Sequence, residues 1–270
     1  MAAVVQEMAT KDPDGRKSSF GTHYDANTGR VIVTTTAPKQ VVDRLEDLLS
    51  DDVVVQRGDG GQQSRKSDYS PFYGGASIAS PSNGNICTSA FRMVYPDGVS
   101  RMITAAHCFP AGARIYSEKA GHNGVRAEIG KIVSTVPSID VALIAATTGR
   151  YGNSIYRGGV DSSATYLIGG INHLSGPVND LCVSGRSTGE HCDHRVADAH
   201  ARACFDGRCF QDLIAYRNGT LTRAGDSGAP VYTVHEGKAM VAGMHIALIN
   251  GIMFAVRIDK IATTFGFARV

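Results

Sequence analysis

The chain has 270 residues, of which 43% are hydrophobic and 19% charged, and 27 Lys+Arg against 25 Asp+Glu leave a net charge of +2. That is enough apolar material to bury a core, either as one large all-β domain or as a domain with a small appendage. The sequence has no basic block of the kind nucleic-acid binding needs and no apolar run long enough to cross a bilayer, so neither a nucleic acid nor a membrane is expected as a partner.

Residues 1 to about 19 are polar and lack apolar periodicity, which predicts disorder. Val31, Val33 and Thr35 then alternate as in a strand. Pro38 stands where a helix can begin, and Val41, Val42, Leu45, Leu48 and Leu49 fall on one helical face. Val53 to Val55 reads as a second strand, completing a small α/β unit. The stretch from Arg57 to Ser67 is Gly-rich and polar, hence a flexible linker open to nicking. Its Arg57-Gly58-Asp59 is accounted for by linker chemistry.

Beyond residue 70 the texture changes to short apolar runs broken by turns. Phe91 to Tyr95 and Val99 to Thr104 flank Pro96-Asp97-Gly98, a hairpin signal. Further strands are predicted at 129–133, 141–145, 165–168, 231–234, 240–245 and 253–256, and Asp259 to Phe265 reads as a closing helix. Many short strands at near-regular spacing argue for barrels or sandwiches.

Three segments carry chemistry. Thr104-Ala105-Ala106-His107-Cys108, Ile139-Asp140-Val141-Ala142-Leu143 and Gly225-Asp226-Ser227-Gly228 bring His, Asp and Ser in an order known to assemble an activated serine. A serine hydroxyl is a poor nucleophile until an imidazole takes its proton. His107 is the candidate base, and Asp140 the group that fixes its tautomer. The glycines let the backbone turn so that the N–H groups of Gly225 and Ser227 converge on a developing oxyanion. Esterases of the α/β-hydrolase type are excluded, because their chain order is Ser, Asp, His.

These motifs resemble the chymotrypsin-fold serine proteases, most closely the secreted bacterial branch of streptogrisin type. Cys182-Val-Ser-Gly-Arg-Ser-Thr-Gly-Glu-His-Cys192 resembles a disulfide loop of that branch, Pro71-Phe72-Tyr73-Gly74-Gly75 its mature amino-terminal segment, and Cys87-Thr-Ser-Ala90 the strand that pairs with the histidine loop. The resemblance covers about residues 68 to 270. It implies a mainly β fold, two six-stranded antiparallel β-barrels at about 76–168 and 169–270, with a protease domain at 67–270. Residues 1–66 are then a small α/β pro-segment, inhibiting in cis until removed; an unrelated accessory domain is the alternative. The activity implied is that of a secreted, monomeric endopeptidase made as a zymogen, acting on polypeptides without a cofactor. The competing class is a catalytically inactive binding module on the same fold, which normally loses a member of the triad; here His107, Asp140 and Ser227 are all present.

The resemblance also implies the disulfides Cys87–Cys108 and Cys182–Cys192. Proximity and parity suggest a third, Cys204–Cys209, closed through the intervening Asp-Gly turn. Three bridges point to an oxidising, extracellular setting, although the opening Met-Ala-Ala-Val-Val-Gln-Glu-Met is no signal peptide. A metal is not expected: His191, Cys192, Asp193, His194, His200, Cys204 and Cys209 are crowded, but their spacing fits no zinc pattern.

Two departures from the family matter. Val183 stands where an arginine often pairs with the aspartate beside the nucleophile, so Asp226 needs another partner, with Arg186 and Arg195 as candidates. Ala229 replaces a second glycine. For the substrate pocket the candidates are Arg223, His245 and Leu248. The run Asn218 to Ala224 holds no acid, which argues against a basic P1 side chain. His245 is either an acid-recognising group or a satisfied strand residue.

Overall fold

The apolar stripe of the first predicted helix finds its partners within its own neighbourhood. The structure is a computed structural model that describes residues 2–25, 30–49, 53–57, 63–119, 126–147, 149–174 and 178–270. The chain divides into two units between residues 61 and 62. The amino-terminal unit contains α1 (Ala2–Lys11), a 3-10 turn (Gly15–Lys17), β1 (Phe20–Asp25), β2 (Arg30–Thr35), α2 (Lys39–Leu48) and β3 (Val53–Arg57). β1 runs antiparallel to β2, and β2 parallel to β3, with α2 as the crossover. Val41, Val42 and Leu45 of α2 pack with Val33 and Ala37, and Val5 and Met8 of α1 join them. The segment expected to be disordered is therefore helical. Its two or three apolar residues are too few to show a period in sequence, but they suffice to bury one face.

The second unit holds β4 (Phe72–Gly74), β5 (Ser77–Ala79), β6 (Ile86–Thr88), β7 (Arg92–Val94), β8 (Ser100–Ala105), β9 (Arg114–Ser117), β10 (Glu128–Val136) and β11 (Val141–Ala145). It continues with β12 (Tyr151–Tyr156), β13 (Thr165–Ile171), β14 (Leu181–Gly185), β15 (Gly189–Phe205), β16 (Arg208–Arg217), β17 (Pro230–His235), β18 (Lys238–Ile249), β19 (Ile252–Arg257) and α3 (Ile258–Phe265).

Both sheets close. In the first, the order is β6-β5-β9-β10-β11-β8-β7. Because β6 and β7 are the two ends of one bent segment, 86–94, the sheet is a barrel of six strands. In the second, β14-β15-β16-β19-β18-β17 closes through the β14–β17 pairing, again with six strands. Phe91, Met93, Met102, Ile103, Ile115 and Ile144 are fully buried on the first side, and Leu181, Val183, Ile214, Tyr216 and Val231 on the second. Each such aliphatic or aromatic side chain contributes about 1.5–3 kcal/mol.

Three boundaries differ from expectation. β12 and β13 pair with each other, and β13 pairs with β18, so residues 151–171 extend the second sheet and do not belong to the first barrel. Residues 63–67, expected in the linker, pack in the barrel unit. The polar, crowded stretch around His191 to Cys209 is a long hairpin of β15 and β16, with Ala201 and Ala203 inward and three register shifts along it. Small and polar residues there hide the strand period from the sequence. Its tip is the expected Asp-Gly turn, with Asp206 at φ 51° and Gly207 at φ 71°. Among the described residues, no helix is long and apolar enough to cross a membrane.

Candidate active site

Thr104 and Ala105 end β8 in the first barrel, and the following turn carries His107 to the edge of a cleft of about 400 Å³. Asp140 sits in the turn between β10 and β11, at φ 55°, with its carboxylate buried. That turn aims Asp140 at His107. His107 Nδ1 donates to Asp140 Oδ2 at 2.6 Å, and the His107 backbone N–H donates to Oδ1 at 2.9 Å. Asp140 O in turn accepts the Ala106 N–H at 3.0 Å. One carboxylate thus fixes both the ring and the backbone of the histidine. With Nδ1 committed as a donor, Nε2 is left free to accept a proton.

Ser227 lies on the loop before β17 and lines the same cleft as His107. Among the described residues no hydrogen bond joins the two side chains, as is common before a substrate is bound. The loop is held by its backbone. Thr88 N donates to Ser227 O at 2.9 Å, Thr88 Oγ1 donates to Gly225 O at 2.8 Å, and Gly228 N donates to His245 O at 2.8 Å. Gly225 and Gly228 have φ of 96° and 88°, and a methyl group on Gly228 would stand 2.2 Å from Thr88 O. Only glycine fits at that point. Among the described residues, the N–H groups of Gly225 and Ser227 have no protein acceptor. That leaves two donors for an anionic oxygen.

Asp226 is fully buried, and its partners are not the expected ones. It accepts from Ser187 N (2.8 Å), Thr188 N (3.3 Å), Thr188 Oγ1 (3.0 Å) and Arg223 N (2.8 Å). The turn between β14 and β15 therefore supplies amides and a hydroxyl where a guanidinium was expected. Arg186 turns instead to Glu118 Oε1 at 2.5 Å and Ser77 Oγ at 3.2 Å. Arg195 is exposed on β15, opposite Arg217.

Arg223, His245 and Leu248 all line the cleft. His245 is buried, its Nδ1 shares a hydrogen bond of 2.8 Å with Tyr216 Oη, and a further bond engages the Phe254 backbone. Burial first, then the nearby His107 and His194 rings, push its pKa down to about 3, so the ring is neutral at working pH. Further residues line the cleft, among them Thr222, Phe205 and Asp206. Thr222 is buried, and its Oγ1 has no hydrogen-bond partner among the described residues. Phe205 and Asp206 arrive from the hairpin tip, so an acidic residue lines the cleft although the run Asn218 to Ala224 holds none. No signal in that run marks Thr222; only its burial in the cleft does.

The three disulfides are Cys87–Cys108, Cys182–Cys192 and Cys204–Cys209. Cys182, Glu190 and Cys192 bring ligand-type atoms together, but both sulfurs are bonded to each other and neither is a thiolate. Of the crowded histidines, His194 is buried between Leu181 O and Thr220 O, and His200 pairs with Asp212 at 2.6 Å.

No protein-family signature and no curated protein matches the chain. Solved structures do. Nocardiopsis protease is 17% identical with a TM-score of 0.58, covering 73% of this chain and 97% of its own. Thermobifida fusca protease A (TM-score 0.57) and Cellulomonas bogoriensis chymotrypsin (TM-score 0.56) are each 19% identical, with the same coverage of 73% and 97%. The two closed six-stranded barrels match the fold of these proteins, and the chain has the chymotrypsin fold of the bacterial serine proteases.

Proposed function

We propose that the protein is a serine endopeptidase that hydrolyses peptide bonds through an acyl-enzyme on Ser227. The observation that carries this reading is the doubly anchored His107–Asp140 pair opening on the same cleft as Ser227. Ser227 Oγ attacks the peptide carbonyl while His107 Nε2 takes its proton. The carbonyl oxygen, now anionic, is received by the Gly225 and Ser227 amides. Collapse of the adduct breaks the C–N bond, and His107 returns the proton to the leaving amine. Water then repeats the sequence in reverse roles, releasing the acid and freeing Ser227. Asp140 stabilises the imidazolium formed in each half-reaction.

Three disulfides fit an oxidising compartment and support secretion. The separate amino-terminal unit supports a zymogen in which residues up to the unit boundary are a pro-segment. The test is turnover of a peptide ester by wild type and Ser227→Ala. The wild type is expected to turn over and the variant to lose about 10⁴-fold or more. A variant with near-wild-type turnover refutes the assignment.

A further inference from the structure

The largest fully buried side chain among the described residues is that of Arg65, in the stretch whose composition reads as linker. Among the described residues, its guanidinium reaches no carboxylate. Nη1 donates to Gly75 O at 2.7 Å, and Nε and Nη2 donate to Gly159 O and Gly158 O, each at 3.3 Å. The backbone is tied on both sides, Arg65 N to Ser162 O at 3.0 Å and Ser77 N to Arg65 O at 2.7 Å. Its neighbours are held as firmly. Lys119 N donates to Lys66 O, and Gln63 Nε2 donates to Asp68 Oδ1 and to the carbonyls of Tyr69 and Pro71. Asp68 in turn accepts from Tyr156 Oη and Tyr73 N. Residues 63–74 are a strap woven into the barrel unit.

Burying a cation without a paired anion is unfavourable, so its position calls for a compensating role. Burial draws the Arg65 pKa down to about 10, offset by Tyr232, Glu190 and Asp226, and the group stays charged at neutral pH. That charge stands behind the β14–β15 hairpin. A methyl group on Gly75 would meet Arg65 Nη1 at 3.2 Å and Ser184 of β14 at 3.3 Å. Gly158 O serves both Arg65 Nη2 and the Glu190 N–H, while Gly158 N donates to Glu190 Oε2 at 2.8 Å. Between Ser184 and Glu190 lies the turn whose Ser187 and Thr188 cradle Asp226.

We propose that Arg65 is a positioning residue, an internal cation that braces the β14–β15 hairpin and so holds Asp226 and the Gly225 and Ser227 amides in place. Residues 63–74 then belong to the competent enzyme, and removal of the amino-terminal unit cuts on the amino-terminal side of Gln63. This inference rests on the serine-peptidase reading.

The test follows wild type, Arg65→Met and Arg65→Lys by the rate of fluorophosphonate labelling of Ser227, the affinity for a peptide boronate and KM for a peptide ester. In Arg65→Met with native near-ultraviolet circular dichroism, labelling and boronate affinity are expected to fall about tenfold or more while KM stays within about threefold, and Arg65→Lys recovers part of the loss. A folded Arg65→Met labelled at the wild-type rate overturns the proposal. Limited proteolysis of the wild type gives a second measurement that needs no variant. Every labelled species, freed of nicked peptides and weighed intact, is expected to retain residues 63–66; a labelled species lacking them overturns it. If the wild type resists labelling even after its amino-terminal unit has been removed, the serine-peptidase reading has failed, whereas equal labelling of wild type and Arg65→Met sinks the bracing role alone.

Discussion

The two sides of the cleft are built on different principles. On the first barrel the working parts are side chains, and one buried carboxylate fixes them: Asp140 holds the ring of His107 at 2.6 Å and its backbone at 2.9 Å. On the second barrel the working parts of the proposed mechanism include two backbone N–H groups, and no single residue fixes those. Their loop depends on Thr88 from the first barrel, on His245 O, and on Asp226, which draws donors from Ser187, Thr188 and Arg223. Side-chain chemistry is compact and travels as a motif. Backbone chemistry is distributed, and its supports are scattered through the chain.

Removing the anchor on each side measures the contrast. Asp140→Asn leaves the space filled but lets Nδ1 become the acceptor, so kcat is expected to fall by about 10⁴ with KM little changed. Steady-state kinetics on a peptide ester decides it; a loss under tenfold separates Asp140 from the histidine's role. Asp226→Asn keeps one acceptor oxygen and gives up the other, which serves Thr188 Oγ1 and Arg223 N. Hydrogen bonds to a charged group are worth about 1.5–3 kcal/mol, so about 10²-fold in kcat is expected. Boronate affinity is expected to fall in step, and unchanged affinity contradicts a positioning role for the loop.

Thr222→Val removes a buried cleft hydroxyl that has no hydrogen-bond partner among the described residues. The expected effect is selective: up to about tenfold lower kcat/KM for P1 side chains that hydrogen-bond, and little for aliphatic ones. A P1-scanning peptide library reads this directly, and a uniform change across P1 contradicts it. The last effect concerns the strap and is read in stability, not in activity. Burial pushes the Asp68 carboxyl up to about 7, despite donors from Gln63, Tyr156 and the Tyr73 and Tyr69 amides. Between about pH 4 and pH 7 the folded state then holds a proton that the unfolded chain has released, so stability falls as pH rises through that window. Thermal melts at pH 5 and pH 8 are expected to differ more in wild type than in Asp68→Asn; equal differences contradict the assignment.

This division explains what the sequence disclosed. His107, Asp140 and Ser227 stand out as candidates because each sits in its own motif and the order is diagnostic, and the strands 141–145 and 253–256 are legible as short apolar runs broken by turns. The β15–β16 hairpin was not, since its inward Ala201 and Ala203 are too small to stand out from their polar neighbours. The family resemblance points to an arginine beside Asp226, but its partners are the Thr188 hydroxyl and backbone amides, which every residue carries and no sequence marks. Arg65 was hidden by composition, set among Gly, Gln and Ser residues. Its burial follows from carbonyls supplied by Gly75, Gly158 and Gly159, distant in the chain.

The central claim is that Ser227 is an activated nucleophile. Intact mass of wild type and Ser227→Ala after exposure to a fluorophosphonate tests it most directly. One phosphonyl adduct on the wild type and none on the variant is the predicted result. An unmodified wild type, with the amino-terminal unit removed, would show an inert serine and contradict the account.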